Sequence, residues 1–128
     1  MIFLLDTQLL LWAALDDPRL SREARRLIGD RAHELTFSAA SVWEVGIKAA
    51  KGRADYQISP RVFRRSLLEN GYDELAISGL HGIEAGALPS VHRDPFDRML
   101  IAQARVEGIP LLTADERLAA YGEPVIVV

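Results

Sequence analysis

Three short apolar runs, "MIFLL" at 1–5, "IPLL" at 109–112 and "PVIVV" at 124–128, alternate with segments of helical pattern. The first two suit strands covered on both faces, and the third a final strand. Such strands alternating with helices favour a layered α/β arrangement. A fourth, weaker strand is expected around Leu35–Ser38 and a fifth in "ELAIS".

The intervening segments read as helices. "TQLLLWAAL" follows the first strand and stops at "DDP"; "SREARRLIGD" sets Leu27 and Ile28 on an otherwise charged surface. A third helix is expected over Ala40–Lys51, ended by Gly52. "SPRVFRRSLLENG" has Ser59 as N-cap, Pro60 at the first helical position and Gly71 as its stop. "GLHGIEAGAL" is a short helix weakened by glycine, "DPFDRMLIAQARVEG" the clearest helix of the chain, and "ERLAAY" a short one. The order is strand–helix–helix–strand–helix–helix–strand–helix–helix–strand–helix–strand, expected to form an α/β fold with a mainly parallel sheet.

At 128 residues the chain is expected to be a single domain (1–128). It has no cysteine, which excludes disulfides and thiolate metal sites. "MIFLL" lacks the basic flank of a signal peptide, and no run approaches the ~20 apolar residues of a membrane span. A soluble cytoplasmic protein, with no membrane partner, is the expectation.

Four acids stand out by position: Asp6 after the first strand, Glu44 early in the third helix, Asp97 at the start of the long helix, and Asp115 after "PLLT". In a parallel sheet, residues that follow strands collect along one edge, where ligands bind. Carboxylates gathered there suit hard cations such as Mg²⁺ or Mn²⁺. Each acid also has a local reading. Asp6 suits an N-cap; Ser41–Glu44 and Thr113–Glu116 have capping-box spacing; in "DPFD", Asp94 suits the cap and Asp97 the favourable end of the helix dipole. Asp115 is the exception on this reading, since Thr113 serves its helix.

The formal net charge of −3 argues weakly against nucleic acid as a partner, but four acids in one pocket would leave +1 for the rest of the chain. His33, His81 and His92 show no metal-ligand spacing, although His92 stands close to Asp94. There is no Gly-rich phosphate loop and no G-x-S-x-G elbow. Trp12 and Trp43 are the exposed-aromatic candidates for an interface, with core packing the favoured assignment for both.

"FLLDTQLLLW", "SAASVWEVGIKAAKGR", "HRDPFDRMLIAQA" and "PLLTADERL" together resemble the PIN-domain ribonucleases, in particular the VapC-type toxins of bacterial toxin–antitoxin pairs. Four motifs in the family's order cover nearly the whole chain. The resemblance implies a three-layer α/β/α sandwich and an acidic pocket holding Mg²⁺ or Mn²⁺. It assigns Asp6, Glu44, Asp97 and Asp115 to that pocket, with Thr113 accompanying Asp115 and Asp94 supporting as a helix cap. It implies metal-assisted hydrolysis of RNA, a homodimer, and a small antitoxin as partner.

RNA approaching such a pocket requires flanking cations, for which Lys48, Lys51 and Arg53 at the far end of the third helix and Arg98 beside Asp97 are the candidates. Lys48 has a second reading as an i,i+4 partner of Glu44. The arginines at 19, 22, 25, 26, 31, 61, 64 and 65 are expected on solvated helix surfaces. Competing functions are a catalytically silent PIN-like binding module and a small-molecule phosphatase.

Overall fold

The computed structural model describes residues 1–128. Five strands, β1 (Ile2–Leu5), β2 (Glu34–Ser38), β3 (Asp73–Leu75), β4 (Leu111–Thr113) and β5 (Val125–Val127), form one sheet in the order β3-β2-β1-β4-β5. All four pairings are parallel, with Leu4 opposite Thr36 on one side and Leu111 on the other. The most apolar run is therefore the central strand. The "MIFLL" pattern fits this position, because both faces of the central strand are covered by helices.

Helices α1 (Thr7–Ala14), α2 (Arg22–Gly29), α3 (Ala39–Ala50), α4 (Pro60–Glu69), α5 (Gly79–Ala87) and α6 (Pro95–Glu107) join the strands. Alternation along β1 divides the core: Phe3 and Leu5 face a cluster containing Leu9 and Leu10 of α1, Ala24 of α2, Val45 of α3 and Phe63 and Leu67 of α4. Leu4 faces the opposite layer, where Leu100, Ile101 and Ala104 of α6 meet Leu111 and Leu118. This is the expected α/β/α sandwich. No helix is long and apolar enough to cross a membrane.

The element order matches the pattern read from the sequence, with one added 3-10 turn at Ala54–Tyr56. Ser59 caps α4 with Pro60 in its first turn, and Asp94 caps α6, its Oδ1 accepting from Phe96 N at 2.8 Å and Asp97 N at 3.2 Å. "ERLAAY" is a 3-10 helix (Glu116–Tyr121). Two expected capping boxes do not form. Helix α3 starts directly off β2 at Ala39 and its cap is Ser38, so Ser41 lies inside the helix and turns its hydroxyl to Thr7. The 3-10 helix is capped by Asp115, whose Oδ1 accepts from Arg117 N at 3.0 Å, not by Thr113. Capping therefore does account for Asp115, contrary to the sequence expectation.

Candidate active site

The chain runs outward from β1 through β2 to β3, then returns to the other side of β1 with β4 and β5. The carboxyl ends of β1 and β4 thus flank the point where strand order reverses, the usual ligand crevice of a parallel sheet. Asp6 lies at the end of β1. Its Oδ1 caps α1 by accepting from Leu9 N at 2.9 Å, and its Oδ2 accepts from the Thr113 hydroxyl at the end of β4. Thr113 Oγ1 accepts in turn from Asp115 N at 3.0 Å, so one hydroxyl couples two of the four acids.

Glu44, on the second turn of α3, is buried and held by three donors. Thr7 Oγ1 donates to Oε1 at 2.5 Å, while Lys48 and the Tyr56 hydroxyl (3.3 Å) donate to Oε2. Asp97, on the first turn of α6, has Oδ2 2.8 Å from His92 Nε2, and no donor of the chain reaches its Oδ1. Asp6, Glu44, Asp94, Asp97 and Asp115 line a single cavity of about 320 Å³ with Gln8, Trp12, Lys48, Arg53, Tyr56 and Arg117. His92 joins them from the side: it, Asp94 and Asp97 each present a ligand atom, all within 4.8 Å of one another.

Burial raises the Asp6 carboxyl to about 7, reinforced by the charges of Asp97 and Glu44 and opposed by the Thr113 and Leu9 hydrogen bonds. Burial likewise raises Asp97 to about 6, with Asp94 adding repulsion and His92 opposing it. Asp115 is different: its ion pair with Arg117 holds its carboxyl below the usual range. Partial burial opposes the charge on Lys48, but its bond to Glu44 and the charges of Asp94 and Asp97 keep it above the ordinary lysine value. Two carboxyls that burial and repulsion make reluctant to ionise, facing an open cavity, gain most from a divalent cation. An all-oxygen carboxylate donor set fits Mg²⁺ or Mn²⁺.

The sequence model of the PIN domain matches residues 3–124. The chain belongs to the PIN-domain family. It is 32% identical over 122 residues to Ribonuclease VapC22 of Mycobacterium tuberculosis (strain ATCC 25618 / H37Rv), covering 94% of this chain and 92% of that one. Its fold is similar to that of VapBC2 from Rickettsia felis bound to a promoter DNA fragment (TM-score 0.69, 15% identity, 100% and 98% of the two chains). A toxin–antitoxin complex from Klebsiella pneumoniae (TM-score 0.67, 22% identity, 97% and 95%) is similar too.

Not every cation nominated from the sequence reaches the cavity of this PIN domain. Lys48 and Arg53 do; Lys51 is exposed outside it. Arg98 is turned away. Its guanidinium donates to Ala85 O, Leu88 O and Pro89 O, each at 2.9 Å, closing the C-terminus of α5 rather than flanking the acids. Arg98 follows Asp97 on a helix, so the two side chains point about 100° apart. Trp43 is 63% exposed, its ring edge-on to Phe96, and is not a core residue. Trp12 is half-buried and forms part of the cavity wall. His81 is structural, its Nδ1 accepting from Ser78 N at 2.9 Å in the capping box of α5.

Thr7, Gln8, Tyr56 and Arg117 were not singled out from the sequence. Thr7 and Gln8 follow an acid already suspected, so adjacency was an available signal. Arg117, two residues after Asp115, offered the same signal; Tyr56 carried none, because it reaches the cavity from a short 3-10 segment remote in sequence from the acids.

Proposed function

We propose that this PIN domain is a divalent-metal-dependent endoribonuclease acting as the toxin of a toxin–antitoxin pair, with RNA as substrate and a small antitoxin protein as partner. The observation that carries it is the convergence of Asp6, Glu44, Asp97 and Asp115 on one cavity at the carboxyl ends of β1 and β4. The ribonuclease named among its relatives and the toxin–antitoxin complexes among its structural neighbours support the same reading.

Asp6, Glu44 and Asp97 would hold Mg²⁺ or Mn²⁺, with Asp115 completing the acidic ring. When bound, such an ion supplies Lewis acidity, acidifying the attacking water and offsetting charge on the phosphate. The chain supplies orientation. Leu9 N and the Thr113 hydroxyl fix Asp6, and Thr7, Lys48 and Tyr56 fix Glu44, so the carboxylates do not have to be ordered at each turnover. Lys48, Arg53 and Arg117 bring positive charge to the cavity, where the RNA backbone must approach acids of its own sign. The i,i+4 reading of Lys48 holds, since it pairs with Glu44 and also lies 3.6 Å from Asp94 Oδ2; its contact with RNA is part of the proposal.

The test is cleavage of a labelled RNA with Mn²⁺, against Asp6→Asn and Asp97→Asn. Loss of at least about 100-fold in both variants, with circular dichroism unchanged, is expected. Cleavage at the wild-type rate in both would overturn the reading.

A further inference from the structure

His92 belongs to none of the roles assigned above, yet it is among the most firmly held residues at the cavity. It lies on the loop between α5 and α6, which the chain ties down from two sides. The Tyr121 hydroxyl accepts from His92 N at 3.0 Å and donates to Pro89 O at 3.2 Å. From α6, Arg98 reaches Pro89 O at 2.9 Å and His92 O at 3.4 Å. The backbone of His92 is thus bonded through both its N–H and its carbonyl, and the ring is delivered to Asp97 Oδ2 at 2.8 Å.

The arrangement closes a circuit. Asp97 and Arg98 are neighbours on α6; Arg98 holds the loop, the loop holds His92, and His92 holds Asp97. The free carboxylate oxygen is then Oδ1. An isolated Asp carboxylate rotates about its terminal torsion, which has broad wells. One donor on one oxygen removes that freedom and sets which oxygen is offered.

We infer that His92 is a positioning residue for the divalent-cation site: by donating from Nε2 to Asp97 Oδ2 it orients the other oxygen of Asp97 for the ion. This rests on the metal-dependent reading above. It also gives Arg98 a function at a distance, since the guanidinium that does not face the cavity anchors the loop that does. Partners of metal-binding carboxylates of this kind typically contribute 10–100-fold in affinity.

The experiment is calorimetric titration of the full chain with Mn²⁺, comparing wild type, His92→Ala, His92→Gln and Asp97→Asn, with thermal unfolding of each in chelator. Gln can present an amide N–H near the position of Nε2; Ala cannot. His92→Ala should bind Mn²⁺ about tenfold more weakly, and His92→Gln within about threefold of wild type. Melting temperatures without metal should agree within about 3 °C, so the loss of affinity is not a loss of fold. Wild-type affinity in His92→Ala, or equal weakening in the Ala and Gln variants, overturns the inference. If Asp97→Asn loses Mn²⁺ while His92→Ala does not, only the role of His92 falls. If wild type itself does not bind Mn²⁺, the metal-dependent reading falls and this one with it.

Discussion

Asp6 carries two jobs that pull its carboxyl in opposite directions. As the cap of α1 it accepts a backbone N–H, which favours the ionised form; buried beside Asp97 and Glu44, it is pushed up to about 7. The second effect prevails, so in the absence of a cation the charge destabilises the fold. Asn retains capping ability without the charge. Asp6→Asn should therefore stabilise the metal-free protein at pH 8 by about 1 kcal/mol, a rise of roughly 4 °C in melting temperature, while Mn²⁺ binding is lost. Melting curves in chelator, paired with calorimetry, measure both. A drop in metal-free stability would show that the carboxylate is held there by structure alone.

At the scale of elements, α6 is the piece on which the site depends. Its cap (Asp94), a cavity acid (Asp97) and the anchor of the preceding loop (Arg98) fall within a span of five residues. Removing the guanidinium by Arg98→Met would orphan carbonyls at the end of α5 and in the loop, and should cost about 2–3 kcal/mol, read as a lower urea midpoint. At the other end, Gly108 ends the helix at φ 68°, a left-handed conformation that lets the chain turn into β4. Gly108→Ala should cost about 1 kcal/mol there and leave Mn²⁺ affinity unchanged, since the site lies at the opposite end of α6. The capping signals of this helix were legible because they are local in sequence. Those assigned to α3 and to the last 3-10 helix were misread for one reason: a Ser or Thr followed by Glu three residues on looks like a cap wherever it falls. Only the start of the helix decides whether it is one.

For the whole molecule, the raised acids set the pH dependence of stability. In the unfolded chain Asp6 and Asp97 titrate near 3.8; in the folded chain they titrate at about 7 and about 6. Their contribution is thus fully present below about pH 4 and is lost as pH rises through 6 to 7. Asp115 and Glu74, lowered by Arg117 and Arg64, act oppositely, and their contribution disappears only in acid, below their unfolded values. Metal-free protein should accordingly melt at a lower temperature at pH 8 than at pH 5. Saturating Mn²⁺ should remove most of that fall, since a ligand that binds only the folded state adds stability by mass action. Melting temperatures across pH 5–8, with chelator and with Mn²⁺, check this; a flat profile in chelator would contradict it.

The sequence by itself determined the layers. Apolar runs of strand length, helical periodicity between them and acids placed after strands are patterns of near neighbours, and they dictate an α/β sandwich with its acids along one edge. Tertiary structure decided which residues meet. Asp6 and Thr113, 107 positions apart, bond because β1 and β4 are adjacent in the order β3-β2-β1-β4-β5, and spacing along the chain does not encode strand order. The same holds for Arg98 turning from the acids to the end of α5, for Trp43 remaining in solvent, and for His92 arriving on Asp97. Each is set by the packing of segments that the chain brings together only when it folds.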